Sequence, residues 1–190
     1  MNLLPLSSNS LIKRLPLLRT REKSIRYLIY GQLAFYGFYI TNNGPLKMFQ
    51  EHATVVSKSS AITSVLYFHF ANYNLPALLF NSGVIYTLGN YHVLKYGQNH
   101  FLRLLGIVAA GGALAALQSS YSSDTFRAEG GFDLSGGLIA YHVFKNPAWF
   151  SYGLHPFAAL SLLVLLYANY GERAGFGGLG AGYLAYLLAL

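Results

Sequence analysis

Charged side chains in this chain are gathered into short intervals, separated by long stretches without a single Asp, Glu, Lys or Arg. These stretches are residues 27–46, 59–94, 104–123, 134–144, 146–171 and 174–190. A charge in hydrocarbon costs several kcal/mol on insertion scales and is pushed into the connections, so the pattern predicts six membrane helices. The fourth stretch is too short for a bilayer core of roughly 30 Å at about 1.5 Å per residue. It is kept because a helix can begin at mid-depth where the backbone before it lines a water-filled cavity instead of facing lipid. The predicted class is an all-α membrane protein in two parts, a basic segment over 1–26 and a six-helix transmembrane domain over 27–190.

The basic residues orient the bundle. With the amino end inside, Lys13, Arg14, Arg19, Arg21, Lys23, Arg26, Lys95, Arg103 and Lys145 lie on the inner side, against Lys47, Lys58, Arg127 and Arg173 outside. The first 26 residues hold six Lys/Arg and one acid, Glu22, a composition typical of a mitochondrial targeting segment and shared by an ordinary positive-inside flank. Beside a span, Lys13, Arg14, Arg19, Arg21, Lys23 and Arg26 are candidates for contact with anionic lipid heads such as cardiolipin, or with acidic partner surfaces. The tail is expected to lie along partner subunits, because ordering some twenty residues costs on the order of 20 kcal/mol of backbone freedom.

Composition works mainly by exclusion. At 54% hydrophobic, 10% charged and a mean hydropathy of +0.37, the 190 residues lack the charged surface of a soluble domain and leave no room for a separate enzyme domain. There is no Cys, which removes disulfides, thiol nucleophiles and Cys-based metal sites. The histidines lack carboxylate or Cys neighbours at i+3 or i+4, so no metal site is expected. The glycine-rich text over 171–182 lacks the strand and Lys/Ser context of a phosphate loop, so no cofactor is expected. The net charge of +7 is weighted toward one tail beside a span, which favours lipid over nucleic acid.

Three stretches carry candidate chemistry. The first, FHFANYNLPALLFNSGVIYTLG over 68–89, contains Asn81; the second is Asp133, Leu134, Ser135 and Gly136; the third is AGFGGLGAG over 174–182. In order and spacing they resemble rhomboid intramembrane proteases, and the likeness covers 27–190. The layout over 47–117, including KMFQEH, looks most like the mitochondrial presenilin-associated rhomboid-like branch.

The resemblance implies a Ser/His dyad across two membrane helices, and each motif here is degraded. The family places His-x4-His-x3-Asn on its second core helix; counting back from Asn81, the matching positions are Asn72 and Ala77. Its Gly-x-Ser-Gly becomes Asp133 to Gly136, where Asp133 could cap the helix and would oppose an oxyanion. Its last helix carries Ala-His-x2-Gly-x3-Gly; aligning Gly178 and Gly182 puts Gly175 where the base belongs. A Ser hydroxyl without a base is a poor nucleophile at neutral pH, so Ser135 and Asn81 are read as vestigial. Gly175, Gly178 and Gly182 form a small-residue packing stripe, with a similar seam at Gly106, Ala109, Ala110 and Ala113. His69 falls outside the motif register, and His142 is about 10 Å along the helix from Ser135. The expected function is an inactive rhomboid-like structural or accessory subunit of a mitochondrial inner-membrane complex, such as a respiratory assembly, with its amino end on the matrix side. The alternatives are an active rhomboid with an unusual base, or a client-binding pseudoprotease of the derlin kind.

Overall fold

The structure, a computed structural model, describes residues 22–41, 55–57, 67–72, 74–122, 125–127, 131–146 and 173–190. Among them are five helices: α1 (Lys23–Ile40), α2 (Leu75–Tyr96), α3 (Gln98–Ser122), α4 (Phe132–Lys145) and α5 (Arg173–Leu187), with a 3-10 turn over Phe68–Phe70. The fold is helical as the hydropathy pattern predicts, with one departure. Two three-residue strands, β1 (Val55–Ser57) and β2 (Thr125–Arg127), pair antiparallel with Val56 opposite Phe126. Such short β-branched and aromatic runs gain their pairing from each other across the chain and leave no local signature.

Local chemistry sets the helix limits. The charge-free stretch 59–94 does not form one helix, because Asn74 stops it: its side chain accepts from the Ala77 amide at 2.7 Å and Pro76 sits in the first turn of α2. At the other end, Gly97 takes φ +90°, a conformation costly for any residue with a Cβ, and this allows α3 to start one residue after the turn.

The six-transmembrane expectation is met only in part. One described helix, α3, is long and apolar enough to cross a membrane, over Gln98–Gln118 and by length and composition alone. The 18, 14 and 15 residues of α1, α4 and α5 reach only about 27, 21 and 22 Å. The 22 residues of α2 are interrupted by Asn81, Asn90, His92 and Lys95. The predicted fifth span, over 146–171, lies almost wholly outside the described residues, as does the tail before Glu22.

Short α4 is the centre of the bundle. Every residue from Phe132 to Val143 is buried, the mark of a helix enclosed on all sides. It packs on α2, α3 and α5, with α1 held on the outer side of α2. The main core joins Ile25 and Ile29 of α1, Ile85 and Leu88 of α2, Phe101, Leu104 and Val108 of α3, and Leu138 and Tyr141 of α4. Gln32 of α1 meets α2 by accepting from the Ser82 hydroxyl at 2.9 Å.

Helix directions follow from the contacts. Ile25 lies near Gly89 while Gln32 meets Ser82, so α1 and α2 are antiparallel. Val108 meets Gly137 while Gly112 meets Asp133, so α3 and α4 are antiparallel. Gly178 lies on Asp133 and Gly182 on Gly137, so α4 and α5 run parallel.

Candidate functional site

The polar residues singled out in the sequence meet at the amino end of α4. The hydroxyl of Ser135, fully buried, stands 2.6 Å from Asn81 Oδ1, 2.8 Å from the Gly131 carbonyl and 3.4 Å from that of Phe132. Asn81 donates through Nδ2 to Asn72 Oδ1 at 2.7 Å, and Asn72 donates to the Phe70 carbonyl at 3.3 Å. Asn72 and Asn81 are buried too. This is a linear chain of donors, from Ser135 through Asn81 and Asn72 into the backbone. It satisfies groups whose burial without partners would cost about 1–3 kcal/mol each. Gly131 fits against it, since a Cβ there would stand 2.5 Å from Asn81 Nδ2.

Asp133 does something other than the capping expected of it. Gly131 is the N-cap, and Asp133 lies inside the first turn with its Oδ2 2.5 Å from His69 Nδ1. The carboxylate is fully buried and the imidazole nearly so, with Oδ1 having no hydrogen-bond partner among the described residues. A buried charge needs a partner more than a helix end needs a cap, which explains why Asp133 turns to the 3-10 turn. Gly112 makes room for it, because its absent side chain leaves space for the carboxylate. A continuous helix over 68–89 would keep His69 out of register; the break at Asn74 frees the turn that carries it. Sequence held a signal for this pair in the break itself, Asn74 followed by Pro76.

The pair does not complete a triad. Residues two apart on a helix lie about 200° apart around it and do not face each other, so Asp133 and Ser135 present to different neighbours. The hydroxyl's partners are Asn81 and backbone carbonyls, none of them a base. On α5, Gly175 is buried and carries no side chain to serve as one. Gly178 sits directly on the Asp133 backbone and Gly182 on that of Gly137, so α5 approaches α4 backbone to backbone. On α3 the close contacts lie one register away from the expected seam: Gly111 and Ala115 meet Gly177 and Ala181 of α5, whereas Gly106 faces open space. A stripe of small residues shows which helix packs closely but not which of its rows does so.

Of the basic residues expected to touch lipid or partners, Lys23 is exposed and Arg26 half-buried at the start of α1. Lys13, Arg14, Arg19 and Arg21 lie outside the described residues.

A second polar cluster, at the far end of α4, has no counterpart in the sequence motifs. His92 of α2 and His142 of α4, both fully buried, approach at 3.2 Å (Nδ1 to Nε2), and His92 Nε2 lies 2.8 Å from His100 Nδ1 of α3. His142 is 50 residues from His92, beyond any local spacing, and His100, eight away, is brought beside it by the turn at Gly97.

No protein-family model matches the chain, and no curated protein or solved structure matches it.

Proposed function

We propose that the protein is a catalytically inactive, rhomboid-like membrane protein that serves as a structural or accessory subunit of a mitochondrial inner-membrane complex, of the respiratory-chain kind, with its amino end on the matrix side. The observation that carries the loss of catalysis is the Ser135 hydroxyl, buried and spent on Asn81 at 2.6 Å, while Gly175 stands where the family's base belongs.

The membrane placement draws support from topology. In order, α1, α2, α3 and α4 alternate in direction, and α5 begins at the same end as α4. The parallel run of α4 and α5 is the order that the span expected over 146–171 would produce. The outward faces add to this. Leu79, Leu94, Leu114, Leu184 and Leu188 are each more than half exposed, an excess of apolar surface that suits lipid or neighbouring subunits. The backbone-to-backbone seating of α5 on α4 at Gly178 and Gly182 leaves no gap between those helices for a client segment, which favours the subunit reading over the client-binding one.

The test combines migration and labelling. The protein should migrate within a large complex on a native gel and leave it when residues 1–22 are deleted. It should not be labelled by a fluorophosphonate. Labelling abolished by Ser135→Ala would overturn the inactive reading in favour of the active-protease alternative, with His69, bound to Asp133 on the serine's own helix, as the imidazole to test.

A further inference from the structure

The 3-10 turn Phe68–Phe70 and the two residues after it reach every described helix through side chains. Phe68, fully buried, fills a socket of alanines made by Ala113 and Ala116 of α3 and Ala174 of α5. His69 holds Asp133 of α4 at 2.5 Å. Phe70 stacks on Phe35 of α1 at 5.9 Å between ring centroids, and stands 2.7 Å from where a Cβ on Gly31 would be. Asn72 accepts from Asn81 of α2 at 2.7 Å and lies against Gly131, where a Cβ would stand 3.0 Å from its Oδ1. The segment thus plugs the end of the bundle at which α4 begins, and Asn72 joins that plug to the donor chain starting at the Ser135 hydroxyl.

Little of this hold comes from the backbone. A 3-10 turn this short has poor hydrogen-bond geometry and few bonds of its own; the Ala71 amide donates to the Phe68 carbonyl at 2.9 Å, and the chain then runs extended, with Ala71 at φ −76° and ψ 128°. Segments held mainly by side chains open at free energies below that of global unfolding. Alanines offer few atoms to an aromatic ring, so the Phe68 socket gains less dispersion than a leucine-lined one would. The ion pair is the weakest hold of all, because its attraction is offset by the desolvation of both ions. Asp133 Oδ1 has no hydrogen-bond partner among the described residues, so part of that desolvation is uncompensated. Both charges regain hydration when the segment lifts. The imidazole is the accessible half of the pair, its side chain being 12% exposed against 0% for the carboxylate.

We propose that residues 68–72 form a releasable stopper that keeps water and the polar groups of other molecules from the Ser135–Asn81 pair, with the His69–Asp133 contact as its catch. Lifting the segment withdraws Asn72 from Asn81 and leaves an amide and a hydroxyl open to solvent at the amino end of α4. The helices themselves stay together, since the main core joins them elsewhere, through Ile85, Leu88, Leu104, Leu138 and Tyr141. The inference rests on neither the membrane placement nor the loss of catalysis.

Two measurements on the full chain in detergent micelles test it. Hydrogen exchange in the parent protein compares the Ala71 amide with the Leu138 amide inside α4, each corrected for its intrinsic rate. The Ala71 amide should exchange at least about tenfold faster; equal rates, meaning that the segment opens only with the whole bundle, would overturn the stopper. The second measurement uses the absence of native Cys. A small uncharged methanethiosulfonate should modify Ser135→Cys about tenfold faster or more once His69→Gln or Phe68→Ala is added, tenfold being about 1.4 kcal/mol in the opening equilibrium. Val143→Cys, buried at the far end of α4, should keep its rate within about twofold in the same backgrounds. An unchanged rate at Ser135→Cys with His69→Gln would overturn the catch. An equal rise at Val143→Cys, which reports loosening of the whole bundle, would overturn the stopper. The exchange comparison needs no substitution, so it decides the matter if a variant fails to fold.

Discussion

Glycine positions make the sharpest statements at the scale of single residues. A Cβ on Gly178 would fall on the backbone of Asp133, with its carbonyl carbon 2.6 Å away, and neither backbone can yield without moving a helix. Gly178→Ala should therefore destabilise the protein by about 1–3 kcal/mol. Gly180, on the same helix, meets nothing within 4 Å. Gly180→Ala should be neutral or stabilise by up to about 1 kcal/mol through helix propensity. Chemical denaturation of both variants in detergent checks the contrast, and equal effects would mean α5 does not sit on α4 as described. Ser135→Ala removes the donor to a buried amide oxygen and should cost about 1–3 kcal/mol. A vestigial serine retained for packing loses stability on that change; a nucleophile loses activity.

Among elements, the contact of most consequence is between the 3-10 turn Phe68–Phe70 and α4. His69 is the one partner of the buried Asp133 carboxylate among the described residues, so His69→Gln should destabilise by on the order of 3 kcal/mol by stranding a charge. Adding Asp133→Asn should recover part of that loss, because the stranded charge is then gone. A double-mutant cycle measures the coupling, and simple additivity would show that the pair is not a tether. The carboxylate and the hydroxyl of the same motif thus serve two different neighbours, α4 being held to the turn on one face and to α2 on another.

For the whole molecule, direction is the quantity to test. The absence of native Cys allows single-site labelling without background. Thr41→Cys, after α1, and Asn99→Cys, at the start of α3, are both exposed and lie at opposite ends of the bundle. An impermeant maleimide should reach them from opposite sides of a sealed membrane; labelling from one side would refute the spanning arrangement.

Hydropathy and charge spacing by themselves determined that the chain is helical, where its helices broadly lie and which end collects the basic residues, because these depend on neighbours within a few turns. The resemblance to rhomboid motifs marked Ser135, Asn81 and Asn72, and the small residues of the last helix. The break before α2 is legible in Asn74 and Pro76, although the apolar run around them is long enough for one helix. Only the tertiary structure decided that His69 pairs with Asp133, that Ser135 donates to Asn81, and that His92, His100 and His142 form one row. It also decided which row of small residues on α3 meets α5, and that two three-residue strands pair across nearly seventy positions. Each of these joins residues far apart in the chain, and its energy depends on geometry at the ångström scale. Periodicity records which face of a helix is buried; it carries no information about which polar atom on another helix waits there.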